Sequence, residues 1–178
     1  MRPLHGTALK RFHRDFRRKN PIRHDIVVIL QSVEYPANVG SIFRIADAAR
    51  IEELVLTGIA PIPPNATVVK VGRHKDKCVP WRYTKEVEPP IAELRDDGYR
   101  IFAMEITDKA RPYHEINWPT KVGLVVGHED HGVTRATLAQ CDDAVFVPMW
   151  GRGLSLNVHV ALAIVLFHIR YQGLSASL

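Results

Sequence analysis

Three segments of this 178-residue chain combine polar side chains with glycine at spacings that suit ligand chemistry. The first is Glu34-Tyr-Pro-Ala-Asn-Val-Gly-Ser-Ile-Phe-Arg44. Asn38 and Ser41 are good helix-start residues, and Gly40 permits close backbone approach. Arg44 then falls within the first two turns, where its guanidinium is a fixed fork for phosphate or carboxylate. The second is Gly127-His-Glu-Asp-His-Gly132. Its histidines and carboxylates are metal-ligand types, but H-x-x-H without further ligands at set spacing is a poor zinc pattern, so no metal site is predicted. The third is Val147-Pro-Met-Trp-Gly-Arg-Gly-Leu-Ser-Leu-Asn-Val158. Its two glycines let a small polar ligand approach backbone N–H groups, and Ser155 is a natural N-cap for the helix that follows. Read one at a time, the first and third segments are no more than capped helices. Neither G-x-G-x-x-G nor G-x-x-x-x-G-K-[ST] occurs, so dinucleotide and P-loop chemistry have no support.

The elements that must position these segments alternate between strand and helix. The continuous apolar run at 26–30 suits a buried strand. Residues 38–49 read as a helix with Ile42, Ile45, Ala46 and Ala49 on one stripe. Further strands are expected at 54–56, 99–104, 122–126 and 144–147. Short helices are expected at 91–97, closed by Gly98, and at 134–140; residues 68–78 read equally as a helix or a basic loop. This order predicts an α/β domain whose mostly parallel sheet is flanked by helices. Ligands in such sheets sit beyond the carboxyl ends of the strands, and the loops at 33–41, 104–109, 127–132 and 148–155 would meet there. The last helix, expected over 154–171, is apolar nearly all round, which requires cover on every side. In so short a chain a second copy is the expected cover, which predicts a homodimer; the chain's own sheet and loops are the other possible cover.

Charge divides the chain at about residue 24. Residues 1–24 carry Arg2, Lys10, Arg11, Arg14, Arg17, Arg18, Lys19 and Arg23 against Asp15, a net +7, whereas residues 25–178 sum to −2. The chain is therefore read as a basic N-terminal arm, 1–24, followed by one domain, 25–178. A clustered basic arm is the footprint of a nucleic-acid binder, although a solvated tail without a partner carries the same charge. Phe12 and Phe16, four residues apart, fit one face of an amphipathic helix within that arm. No apolar run of 18 residues is present and the start lacks the apolar core of a secretory signal. With only Cys78 and Cys141, both expected as reduced thiols, the reading is a cytoplasmic protein without a membrane span.

In order, the three segments resemble the three motifs of the SpoU (TrmH-type) branch of the SPOUT RNA methyltransferases. Asn38-Val-Gly-Ser-Ile-Phe-Arg-Ile-Ala46 is similar to the first, Leu124-Val-Val-Gly-His-Glu-Asp-His-Gly-Val133 to the second, and Val147-Pro-Met through Ser155-Leu-Asn-Val158 to the third. The resemblance covers roughly residues 26–170, and three motifs in sequence are far more specific than one. It implies a deep trefoil knot in the C-terminal part of the sheet, a rare exception to unknotted topology. It implies S-adenosylmethionine as cofactor, with Met104, Gly127, Val147, Met149, Ser155 and Leu156 lining the pocket. It implies methylation of a ribose 2′-hydroxyl, in tRNA before rRNA, by a homodimer that brings Arg44 of one subunit towards the other's cofactor. Arg44 would fix the target phosphate and stabilise the developing oxyanion, since a guanidinium is a poor free base. Asn38 would position Arg44 or the ribose, Ser155 and Asn157 would shape the site, and Glu129 would partner an arginine or contact substrate. Arg11, Arg14, Arg17 and Arg18 would meet RNA phosphates.

Two positions depart from the family pattern. Leu154 stands where a glutamate commonly precedes the serine, and His159 where a serine commonly follows the asparagine and valine. They leave open a second reading, a non-catalytic RNA-binding protein of the same architecture. A nucleotide-sugar or dehydrogenase-like α/β enzyme is the third, without the phosphate fingerprints it needs.

Overall fold

The computed structural model describes the backbone of residues 1–175 and the side chains of residues 1–172. Seven strands form one sheet: β1 Asp25–Gln31, β2 Glu53–Thr57, β3 Trp81–Thr84, β4 Arg100–Met104, β5 Arg111–Pro112, β6 Lys121–Val126 and β7 Asp143–Phe146. Their order is β3-β2-β1-β6-β4-β7-β5, and every pairing is parallel. Among the described residues six helices accompany them: α1 Gly6–Lys19, α2 Pro36–Ala49, α3 Ala66–Gly72, α4 Glu88–Asp96, α5 Arg135–Leu138 and α6 Val158–Ser175.

The sheet is buried on both faces, which explains the unbroken apolar runs of its central strands. Alternation along β1 sends Ile26, Val28 and Leu30 to one side, where they pack with Leu124 and Val126 of β6, Phe43 of α2 and Leu162, Val165 and Leu166 of α6. Val27 and Ile29 point the other way, towards Ile101 and Val125 and the α4 residues Ile91 and Leu94. The β1–β6 register sets Ile26 beside Val122 and Leu30 beside Val126, so both strands end level, and the loops after them start from the same edge.

Two edge strands, β3 and β5, lie outside the expected list. Each has at most four residues, too short for a period of two to stand out, and Pro112 occupies an edge where its missing N–H costs no ladder bond. The ambiguous stretch 68–78 divides into α3 and a 3-10 turn over Lys75–Lys77. Asn65 caps α3, its Oδ1 accepting from the N–H groups of Thr67 (3.0 Å) and Val68 (3.2 Å). Gly40 serves this packing and not a ligand: a Cβ there would lie 2.8 Å from the Val68 carbonyl oxygen.

The last helix corrects two expectations. It begins at Val158, not 154, because Asn157 is its cap: the Asn157 Oδ1 accepts from the His159 N–H at 3.1 Å. Ser155 lies two residues before that cap. Nor does the helix need a partner on every side. Leu162, Val165, Leu166 and Ile169 are fully buried in the chain's own core, whereas Val160, Phe167 and Tyr171 stay exposed. Arg170 fastens α6 to the far end of α2. Its Nε donates to the Ala49 carbonyl (2.7 Å), one terminal nitrogen to Arg50 (2.7 Å) and the other to His24. A cation there satisfies carbonyls that a helix C-terminus leaves open.

The basic arm contains a 14-residue helix, α1, with no buried residue. Leu9, Phe12 and Phe16 share one side of it, and the cations Lys10, Arg14, Arg17 and Arg18 share the other. Cys141 is half-buried and its thiol is pushed up to about 12, first by burial and then by the neighbouring Asp142 charge. No helix among the described residues is long and apolar enough to cross a membrane.

Candidate active site

The site is built on the start of α2. Pro36 occupies the first turn, where its fixed φ suits a helix and its missing N–H is no loss. A carboxylate is favourable at such an end, and Glu129, from the loop after β6, supplies it. Its Oε2 accepts from the Glu34 N–H (2.9 Å) and its Oε1 from the Tyr35 N–H (3.2 Å) and the Asn38 amide (2.6 Å). Burial works against the charged form of Glu129, but the Asn38 and backbone N–H bonds outweigh it and hold the carboxyl below its ordinary value. These bonds give Glu129 a structural role that its place in the sequence did not show. Its bonds among the described residues fasten the second segment to the first.

Asn38 extends the tie to the third segment. Its amide donates to Glu129, and its Oδ1 lies 3.0 Å from Nδ1 of His159 on the first turn of α6. Asn38 is buried, and both polar ends of its side chain have partners within the chain. It therefore positions three segments at once, which spacing along the sequence cannot reveal. His159, noted only as a departure from a pattern, is the third member of this network. Burial pushes its imidazole below the ordinary histidine value.

Around this network the strand ends enclose a cavity of about 650 Å³. Met104, Gly127, Val147, Met149, Ser155 and Leu156, the six residues expected around a cofactor, all line this cavity. Asn38, Glu129 and Asn157 line it as well. Gly127 is required by packing, since a Cβ there would run into the Gly132–Val133 backbone. Glu105, which sequence reasoning passed over, anchors the same loop: its Oε2 accepts from the Val133 N–H at 2.8 Å. Gln31 holds the other side, bonded to Thr134 and Thr137 at 2.9 and 2.7 Å. These two had no signal beyond being polar residues at strand ends.

Arg44 is placed elsewhere. It is exposed on α2 and does not line the cavity. With Ala37 and Ala48 it forms the exposed stripe of that helix, at spacings of seven and eleven residues. Arg11 and Arg14 lie near Asp15 on α1, at 3.7 and 3.6 Å. Arg17 borders a second groove beside Asp25, Asp47 and Glu52, away from the first cavity. Arg18 is exposed.

The family model described as SpoU rRNA methylase matches residues 25–167. The chain belongs to that family. Among curated relatives of this methylase, the tRNA (guanosine(18)-2′-O)-methyltransferase of Thermus thermophilus is 31% identical over 182 residues, spanning all of this chain and 89% of that protein. The 23S rRNA (guanosine(2553)-2′-O)-methyltransferase of Bacillus subtilis is 31% identical over 144 residues, 81% of this chain and 57% of that protein. Among solved structures, the AdoMet-bound rRNA methyltransferase of Sinorhizobium meliloti superposes with a TM-score of 0.79 at 27% identity, covering 86% of this chain and 58% of that one. This methylase thus spans most of the Thermus protein and little more than half of the other two. The matched region starts where β1 starts, so α1 lies outside it.

Proposed function

We propose that this methylase transfers a methyl group from S-adenosylmethionine to a ribose 2′-hydroxyl of RNA, with tRNA as the substrate ahead of rRNA. The observation that carries the reading is the meeting of the three segments at one cavity, tied together by Glu129, Asn38 and His159. A volume of about 650 Å³ suits a small-molecule cofactor. The lining fits this one: apolar side chains at Val126, Val145 and Leu156, and a glycine at 127 where the backbone must pass closely. S-adenosylmethionine supplies, when bound, a methyl group on a positively charged sulfonium. Met104, Gly127, Val147, Met149, Ser155 and Leu156 would hold it. The chain's main task is then alignment of two reactants, which is worth about 7–11 kcal/mol of barrier.

Arg44 belongs to this reading through a second copy of the chain. Its exposed stripe on α2 lies on a helix that packs against α6, whose exposed stripe is Val160, Phe167 and Tyr171. A homodimer through these helices covers that apolar stripe and carries Arg44 towards the partner's cavity, where a guanidinium fixes the phosphate and stabilises the oxyanion. Ser155 and Asn157 shape the mouth of the site. The segment 1–24 acts as an RNA-binding arm on a methyltransferase domain spanning 25–178, with Arg11, Arg14, Arg17 and Arg18 on phosphates. The C-terminal part of the sheet is tied as a trefoil knot, and the protein works in the cytoplasm.

The test is methyl transfer from labelled S-adenosylmethionine to unmodified tRNA and rRNA, followed by mapping of 2′-O-methyl positions. Arg44→Ala is expected to keep the fold and cofactor affinity and to lose most transfer. Normal turnover by that variant would remove Arg44 from the reaction, and absence of transfer by the unmodified chain would remove the reading.

A further inference from the structure

A nucleotide that brings its 2′-hydroxyl into a cavity leaves its neighbours, and its base loses the stacking they gave. An aromatic face beside the ribose can replace that loss. Among the described residues, Phe12, Phe16, Tyr83, Trp150, Phe167 and Tyr171 are exposed but do not line the cavity. Tyr35 is 49% exposed and does line it. His131 borders the cavity as well, but its ring rests against that of His128, 4.6 Å between centroids. No ring or cation packs on Tyr35 among the described residues.

The backbone of Tyr35 is fixed from both sides. Its N–H donates to Glu129 Oε1 at 3.2 Å. Its carbonyl accepts from the N–H groups of Asn38 (2.9 Å) and Val39 (3.2 Å), which opens α2. Tyr35 thus stands one turn before Asn38, itself a lining residue of the cavity. The Asp130 charge, foremost, pushes the phenol above its ordinary value, so the ring is neutral beside the second segment. A tyrosine held in this way has two side-chain torsions left to order, so a contact on its face loses little entropy.

The walls of the cavity differ in origin. The six residues proposed for the cofactor come from β4, the end of β6 and the segment after β7, together with buried Val126 and Val145. Tyr35 comes from the start of α2 and stays half exposed, where a polymer arriving from solvent meets it. We infer that Tyr35 stacks on the base of the nucleotide whose ribose is methylated, holding that nucleotide out of the RNA's own stack. This rests on the ribose methylation proposed above.

The experiment uses the full-length protein and an RNA whose methylated position has been mapped. A second RNA lacks the base at that position and keeps the ribose. Tyr35→Ala is expected to weaken binding of the intact RNA about 5- to 150-fold, the worth of one stacked base, and to lower kcat/KM on it by the same factor. Binding of the abasic RNA is expected to be unchanged by Y35A. Tyr35→Phe keeps the ring and is expected to bind and turn over the intact RNA like the unmodified chain. S-adenosylmethionine affinity, by calorimetry, and the unfolding midpoint are expected to be equal in all three proteins. An equal loss on both RNAs, no loss on the intact RNA, or weaker cofactor binding by Y35A would overturn the assignment of Tyr35 while leaving ribose methylation standing. An unmodified chain that transfers no methyl to any RNA would overturn both.

Discussion

At the scale of single residues, the polar side chains divide by what they already hold. Glu129 holds three donors at the start of α2, so Glu129→Ala leaves a buried amide and two N–H groups without their acceptor. The expected loss is about 1–3 kcal/mol of stability, read by denaturant unfolding, together with weaker cofactor binding. An unchanged midpoint would mean that water replaces the carboxylate at no cost. Asn38 and Glu129 were legible as site residues because their types and order match a pattern. Their joint role was not legible, since 91 positions separate them. His159 was visible only as an exception, and its bond to Asn38 spans 121 positions.

At the scale of elements, two helices carry predictions. Arg170 donates to carbonyls at the end of α2 and the start of β1. Arg170→Leu strands those oxygens in a half-buried setting and is expected to cost about 2–4 kcal/mol in the same assay. A smaller loss would show that solvent reaches them. Helix α1 packs nothing into the core, so deleting residues 1–20 is expected to leave thermal stability unchanged. It should weaken RNA binding and flatten its dependence on salt, because fewer phosphates are neutralised. A salt slope equal to that of the full chain would show α1 to be a bystander. The amphipathic spacing of Phe12 and Phe16 announced this helix. The short edge strands and the true start of α6 were not announced, because four residues carry no period and Ser155 and Asn157 are both good caps.

At the scale of the whole molecule, the exposed stripe of α6 carries a prediction. Phe167 is 49% exposed in the middle of it. Phe167→Glu places a charge where a second chain would bury an aromatic ring. Analytical ultracentrifugation is expected to show single chains, and methyl transfer should fall with dimerisation because Arg44 then has no partner cavity to reach. A dimer that survives this change would place the interface elsewhere. The helix is apolar nearly all round; its own sheet takes one side, and Val160, Phe167 and Tyr171 are left for a partner to cover.

Hydrophobic period and turn residues are local properties, and they determined the alternation of strand and helix, the parallel sheet and the edge at which the loops meet; the six residues expected around a cofactor came from the resemblance of the three segments to a family's motifs. Three-dimensional packing decided the rest. It set which donor faces which acceptor, that Glu129 fastens α2, that Asn38 joins three distant segments and that Asn157 and not Ser155 caps α6. Hydrogen bonds are directional and short, so groups far apart in the chain acquire these roles only when the fold brings them within about 3 Å. The segments 34–44 and 147–158, each no more than a capped helix when read alone, become one site because the sheet ends them at the same edge.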